Sequence, residues 1–184
     1  MYNKILMVFF TFLIMAVACS ALHAESYHIG PGDVLEISVW RDDALSREIV
    51  IPPDGILSFP LIGDVNVVNM SVAQIRDVIK KKLSEYIPDA SVSVIIKQIN
   101  SLKAYVIGQV KNPGEFPITM GTRVMQLLAK AEGLTPFASE RDIHILRYGG
   151  SKIEKIRFDY KEVLKGNNLE QDIVLKPGDV LVVP

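Results

Sequence analysis

Carboxylates are the side chains best placed to do chemistry in this chain, because the other reactive groups are few. Cys19 is the sole cysteine, which removes an intramolecular disulfide and any thiolate-based zinc or iron–sulfur site. Three histidines remain (His23, His28 and His144), and they assemble no metal-ligand set. Asp42 and Asp43 follow Trp40, whose ring is of a kind that stacks on sugars, and Asp54 lies in the next turn. Two carboxylates are all that glycoside hydrolysis needs. Yet neighbouring residues on an extended strand point to opposite faces, so Asp42 and Asp43 do not form an acid–nucleophile pair. His144 alternates with Ile143 and Ile145, which turns it to solvent with no partner to make it a base. Gly108 and Gly114 have five residues between them and are followed by Glu115, a hairpin turn and not a phosphate loop. No Gly-x-Ser-x-Gly elbow is present. No cofactor, metal or catalytic residue is expected.

The elements that would carry these residues follow from periodicity. Val34–Trp40 has the β-branched and aromatic character of a strand and is opened by the turn pair Pro31-Gly32. Glu48–Ile51 and Ile56–Phe59 read as a hairpin around Pro52-Pro53-Asp54-Gly55. Ser71 and Gln74 form a capping box, and Val72, Ile75, Val78, Ile79 and Leu83 then fall on one helical face. Lys80-Lys81-Lys82 sits at the C-terminal end, where cations suit the helix dipole and face solvent. Pro88 stops the helix, and Ala90–Lys97 alternates as a strand. Beyond Asn100-Ser101 the pattern restarts. Lys103–Val110 and Glu115–Ile118 form a hairpin, and Thr122 caps a helix that ends at Gly133. Ile143–Arg147 and Lys152–Phe158 flank Gly149-Gly150, a helical turn covers Tyr160–Lys165, and strands at Ile173–Leu175 and Val180–Val183 follow. The fold class is therefore α+β in two small domains, 25–100 and 101–184, the second β-grasp-like. Pro-Gly-Asp-Val-Leu occurs at 31–35 and again at 177–181, each time as a turn feeding a strand.

Residues 1–24 read as an export signal. Lys4 precedes an apolar run from Ile5 to Ala18, and a helix of that length spans roughly 21 Å, short of a ~30 Å hydrocarbon core. Two cuts are open: after Ala24, or before Cys19, whose preceding Ala16-Val17-Ala18 resembles a lipobox and would leave a lipidated Cys19. Lys+Arg 20 against Asp+Glu 21 gives a net charge of −1, with no basic patch for phosphate neutralisation, which excludes nucleic acid.

Read as a string, Tyr27–Trp40 resembles the opening of the bacterial polysaccharide biosynthesis/export family, and Pro53–Gly63 resembles its most recognisable segment. Val106–Gly114 and Ala131–Phe137 resemble the adjoining soluble-ligand-binding β-grasp (SLBB) module. The resemblance implies a non-enzymatic subunit of a homo-oligomeric ring in a Gram-negative envelope. Such a ring conducts capsular or exopolysaccharide outward and works with an inner-membrane polysaccharide co-polymerase. Larger members carry several β-grasp modules and a C-terminal helix lining an outer-membrane pore. A single module fits this chain, so it is expected to lie in the periplasm, associated with the outer membrane, beneath a separate barrel. Trp40, Arg41, Asp42, Asp54 and Gly55 are its candidate lumen or subunit-interface residues, with turn formation and a local ion pair as their plainer explanation. A monomeric carbohydrate-binding module is the alternative. It would hold sugar tightly on aromatic platforms, and aromatics here total 8%.

Overall fold

The structure, a computed structural model, describes residues 26–150 and 152–184. The expected signal segment and Cys19 lie outside the described residues. Two separate hydrophobic cores form, one from Ile29 to Val94 and one from Ala104 to Val183.

In the first, β1 (Val34–Val39) lies between β2 (Asp42–Val50) and β5 (Val92–Gln98), antiparallel to both. Leu35, Ile37 and Val39 point inward from β1 because alternate strand residues share a face. A separate hairpin, β3 (Ile56–Phe59) with β4 (Gly63–Asn66), adds Leu57, Phe59 and Val65. Helix α1 (Val72–Leu83) carries the expected capping box: Ser71 N–H donates to Gln74 Oε1 at 2.8 Å, and Gln74 N–H donates to Ser71 Oγ at 3.4 Å. Its Ile75, Ile79 and Leu83 are fully buried, each stabilising the fold by about 2 kcal/mol.

The second core is covered by a five-stranded sheet in the order β7-β6-β10-β8-β9. These strands are β6 (Lys103–Gly108), β7 (Gly114–Pro117), β8 (Ile143–Gly149), β9 (Lys152–Phe158) and β10 (Val180–Val183). Helix α2 (Val124–Lys130) connects the two hairpins, and α3 (Tyr160–Leu164) leads through a 3₁₀ turn (Leu169–Gln171) to β10. β10 runs parallel to β6 and antiparallel to β8. Hairpin, helix, hairpin and a central parallel closing strand make a β-grasp arrangement.

Four expectations change. Ile56–Phe59 pairs with Gly63–Asn66, not with the strand before it; β2 instead turns back along β1 through Trp40-Arg41. β2 also begins at Asp42, because a bulge between Ile37 and Val39 absorbs its polar start. Ile173–Leu175 makes a single bridge, Val174 to Arg123, and no strand. Thr122 does not cap α2. Its Oγ1 accepts the Thr119 N–H at 2.9 Å, while Asp172 Oδ1 accepts the Met125 N–H at 3.0 Å and Gln126 Oε1 accepts the Arg123 N–H at 2.9 Å.

Candidate functional site

The residues singled out from the sequence separate into two groups at opposite ends of β2. Its nine residues span about 26 Å, in eight steps of roughly 3.3 Å. At one end, Trp40 and Arg41 form the tip of the β1–β2 hairpin, Val39 pairing with Asp42 across them. Trp40 N–H donates to the Ser91 carbonyl at 2.9 Å, which ties the tip to the start of β5. Arg41 takes φ +64, a left-handed conformation that costs a non-glycine residue roughly 1–2 kcal/mol. The indole of Trp40 is 73% exposed. The Asp42 carboxylate accepts the Leu45 N–H at 3.3 Å, and its carbonyl accepts the Ser46 hydroxyl at 3.2 Å. Asp42 therefore shapes the bulge of β2. No ion pair joins it to Arg41 among the described residues.

Beside this tip lies an open cleft of about 400 Å³. Its lining is Ser38, Val39, Trp40, Arg41, Asp43, Ser46, Ser91 and Ser93. Ser38 and Ser93 are direct cross-strand partners on the open face of the sheet. The serines were missed in the sequence because they come from β1, β2, β5 and the residue just before β5, and meet only through the register.

Asp54 and Gly55 sit beyond the far end of β2. Gly55 N–H donates to the Pro52 carbonyl at 3.0 Å, and Asp54 Oδ1 accepts the Ile56 N–H at 3.0 Å. Gly55 has φ +68, and a Cβ there would meet Val68 Cγ2 at 2.3 Å. Both conditions demand glycine. His144 is half-buried on β8, its Nδ1 3.2 Å from the Asp142 carbonyl.

The structure also exposes the work of Asp33, an acid that the sequence left inside a turn motif. It is fully buried. Oδ1 accepts the backbone N–H groups of Asn100 and Ser101, each at 2.9 Å. Oδ2 accepts the Gly30 N–H at 2.9 Å, the Ser101 hydroxyl at 3.3 Å and the Tyr27 hydroxyl. Burial, then the hydrogen bond to Asp33, push the Tyr27 phenol up to about 12. Asp33 thus ties the N-terminal segment and β1 to the joint between the two cores. Its counterpart Asp179 is equally buried and binds Arg147 twice, Oδ1 to Nε at 2.9 Å and Oδ2 to Nη2 at 2.7 Å. That hydrogen-bonded pairing holds the guanidinium above its ordinary pKa. Neither aspartate opens into a cleft of the first domain's tip, and among the described residues no group of three or more His, Cys, Asp or Glu is placed to hold a metal ion.

Comparison with known proteins follows the two cores. The polysaccharide biosynthesis/export protein family matches residues 22–97, and the SLBB domain family matches residues 102–183. The chain is 28% identical over 111 residues to the polysialic acid transport protein KpsD of Escherichia coli, covering 60% of this chain and 20% of that protein. It is 25% identical over 181 residues to the capsule polysaccharide export outer membrane protein CtrA of Neisseria meningitidis, covering 88% and 45% respectively. Against the EPS I polysaccharide export outer membrane protein EpsA of Ralstonia nicotianae it is 25% identical over 184 residues, covering 87% and 48%. The chain thus spans less than half the length of these relatives. The chain joins a polysaccharide biosynthesis/export domain directly to an SLBB domain, and along most of its length it is similar to proteins named for capsule and exopolysaccharide export.

Proposed function

We propose that this protein is a subunit of a ring in a Gram-negative envelope that conducts capsular or exopolysaccharide out of the cell without making or breaking a bond. The observation that carries this reading is the order of the two family domains, which together account for most of the chain. In the reading, the export domain occupies residues 25–100 and the SLBB domain 101–184, after removal of a signal peptide at 1–24. The mature chain lies in the periplasm against the outer membrane, held there by a lipidated Cys19 or by its partners. Those partners are further copies of itself, the polysaccharide in transit, an inner-membrane polysaccharide co-polymerase and a separate outer-membrane barrel.

Exposed apolar surface supports assembly. Alternation on the five-stranded sheet buries Ala104, Val106, Leu181 and Val183 and leaves Tyr105 and Ile107 outward, beside Val180 and Val182 of β10. Phe137 is 84% exposed on a loop fixed by hydrogen bonds from Thr135 to Gln109. Contiguous patches of this kind mark interfaces more often than isolated apolar residues do. Trp40, Arg41 and Asp42 face the lumen or a neighbouring subunit at one end of the export domain, and Asp54 with Gly55 at the other. A monomeric carbohydrate-binding module is favoured by one observation, the exposed Trp40 beside a serine-lined cleft.

Native mass of the mature protein in mild detergent separates the two. The ring reading predicts a ring-sized assembly. A monomer at every concentration, with or without the co-polymerase and barrel, contradicts it. The subunit mass measured at the same time reports whether the chain starts at Glu25 or at an acylated Cys19.

A further inference from the structure

We propose that the cleft at the β1–β2 tip is a weak binding subsite for single pyranose units of the transported polymer, with Trp40 as its stacking platform. The inference rests on the polysaccharide reading and adds the place and the chemistry of contact. Turn chemistry alone does not explain Trp40-Arg41. Two-residue hairpin loops favour Asn-Gly or Asp-Gly, which adopt positive φ without strain. Here an arginine is held at φ +64, and an indole stays 73% exposed instead of burying its area in a core.

What surrounds the indole matches a sugar. A pyranose offers two surfaces: polarised C–H groups on its face, and a rim of hydroxyls that both donate and accept. The negative π face of an indole complements the first. Serine hydroxyls, each donor and acceptor, complement the second. Ser38 and Ser93 are paired across β1 and β5, so two small side chains lie side by side at the cleft. Arg41 and Asp43 line it as well, one a fork of donors and the other an acceptor of hydroxyl protons. About 400 Å³ accommodates one or two sugar rings, and its openness to solvent suits a polymer that must pass and not stay.

Trp40 is the only tryptophan in the chain, so its emission reports on this cleft alone. The probe is the oligosaccharide mixture released by mild hydrolysis of the source bacterium's own surface polysaccharide, titrated into the mature full-length protein. The expected result is a saturable change in Trp40 emission with millimolar affinity. Ser93→Val keeps the reporter and suits an exposed strand position, yet fills the cleft; it should weaken the response at least about tenfold. Arg41→Ala should weaken it severalfold. Circular dichroism of each variant separates loss of binding from loss of fold.

Emission that stays flat to the solubility limit overturns the proposal, as does a response that Ser93→Val leaves unchanged. Emission that follows protein concentration and ignores sugar also overturns it, by assigning Trp40 to a contact between copies. If Trp40 responds to the oligosaccharide while a deletion strain still exports polymer, the subsite stands and the export reading falls. If export is lost and Trp40 is silent, the reverse holds.

Discussion

The pentapeptide Pro-Gly-Asp-Val-Leu is used twice in this chain, and the two copies share a backbone but not a purpose. At 31–35 and 177–181 the glycine has φ +88 and +84, and the aspartate N–H donates to a carbonyl three residues back at 3.2 and 3.1 Å. In both, Oδ2 accepts the N–H of that same residue, Gly30 at 2.9 Å and Lys176 at 2.8 Å. Local sequence therefore fixes the turn, as proline followed by glycine requires. The remaining carboxylate valence is set by the fold. Asp33 gathers uncharged donors from the joint between the cores, whereas Asp179 neutralises Arg147 within one core. The first copy joins domains and the second closes a sheet.

Removing each carboxylate breaks the comparison open. Asp33→Ala leaves the part-buried N–H groups of Gly30, Asn100 and Ser101 without their acceptor, at about 1–3 kcal/mol each where water does not reach. The expected loss is about 4 kcal/mol, read as a lower urea midpoint, with the joint near Ser101 becoming sensitive to protease. Asp179→Ala strands a guanidinium whose side chain is 17% exposed. Part of that charge reaches water, so the expected loss is about 3 kcal/mol, without new cleavage at the joint. Equal protease sensitivity in the two variants would remove the distinction drawn here.

Gly55→Ala comes next, at roughly 2 kcal/mol, because the strained φ and the Val68 contact both oppose a Cβ. Its loss of stability should precede any loss of export, so expression level must be matched before transport is compared.

A gentler probe of the first copy is pH. The Tyr27 phenol titrates at about 12 when folded, against 10.0 for the unfolded group. A raised folded value means its stabilisation is complete below pH 10 and is lost as pH climbs toward 12. Wild-type stability should fall across that window, and Tyr27→Phe should show a shallower fall.

The smallest effect belongs to Ser71→Ala, an exposed cap, at about 1 kcal/mol in thermal or urea unfolding.

How much of this was legible in the sequence depends on whether the signal was local. Helix α1 was, because its cap and its apolar face lie within thirteen residues, Ser71 to Leu83. β3, β9 and β10 were, each bounded by turn residues and rich in branched side chains. The β1–β2 hairpin was hidden because its turn is Trp-Arg, with neither glycine nor asparagine to announce it. β4 was hidden because Gly63-Asp-Val-Asn66 carries one apolar residue and takes its strand form from pairing with β3. The cap of α2 lies in Asp172, forty-seven residues from the amide it serves. At the candidate site, Trp40 and Arg41 stood out by type. The serines around them did not, since only the register of β1 with β5 brings Ser38 to Ser93.

The central claim is that polysaccharide reaches the cell surface through an assembly containing this chain. Deleting the gene in the source bacterium and measuring surface and cell-retained polysaccharide tests it most directly. The account predicts loss of surface polymer with retention inside the envelope, restored by the wild-type chain supplied in trans. Surface polymer at the wild-type level in the deletion strain would contradict it.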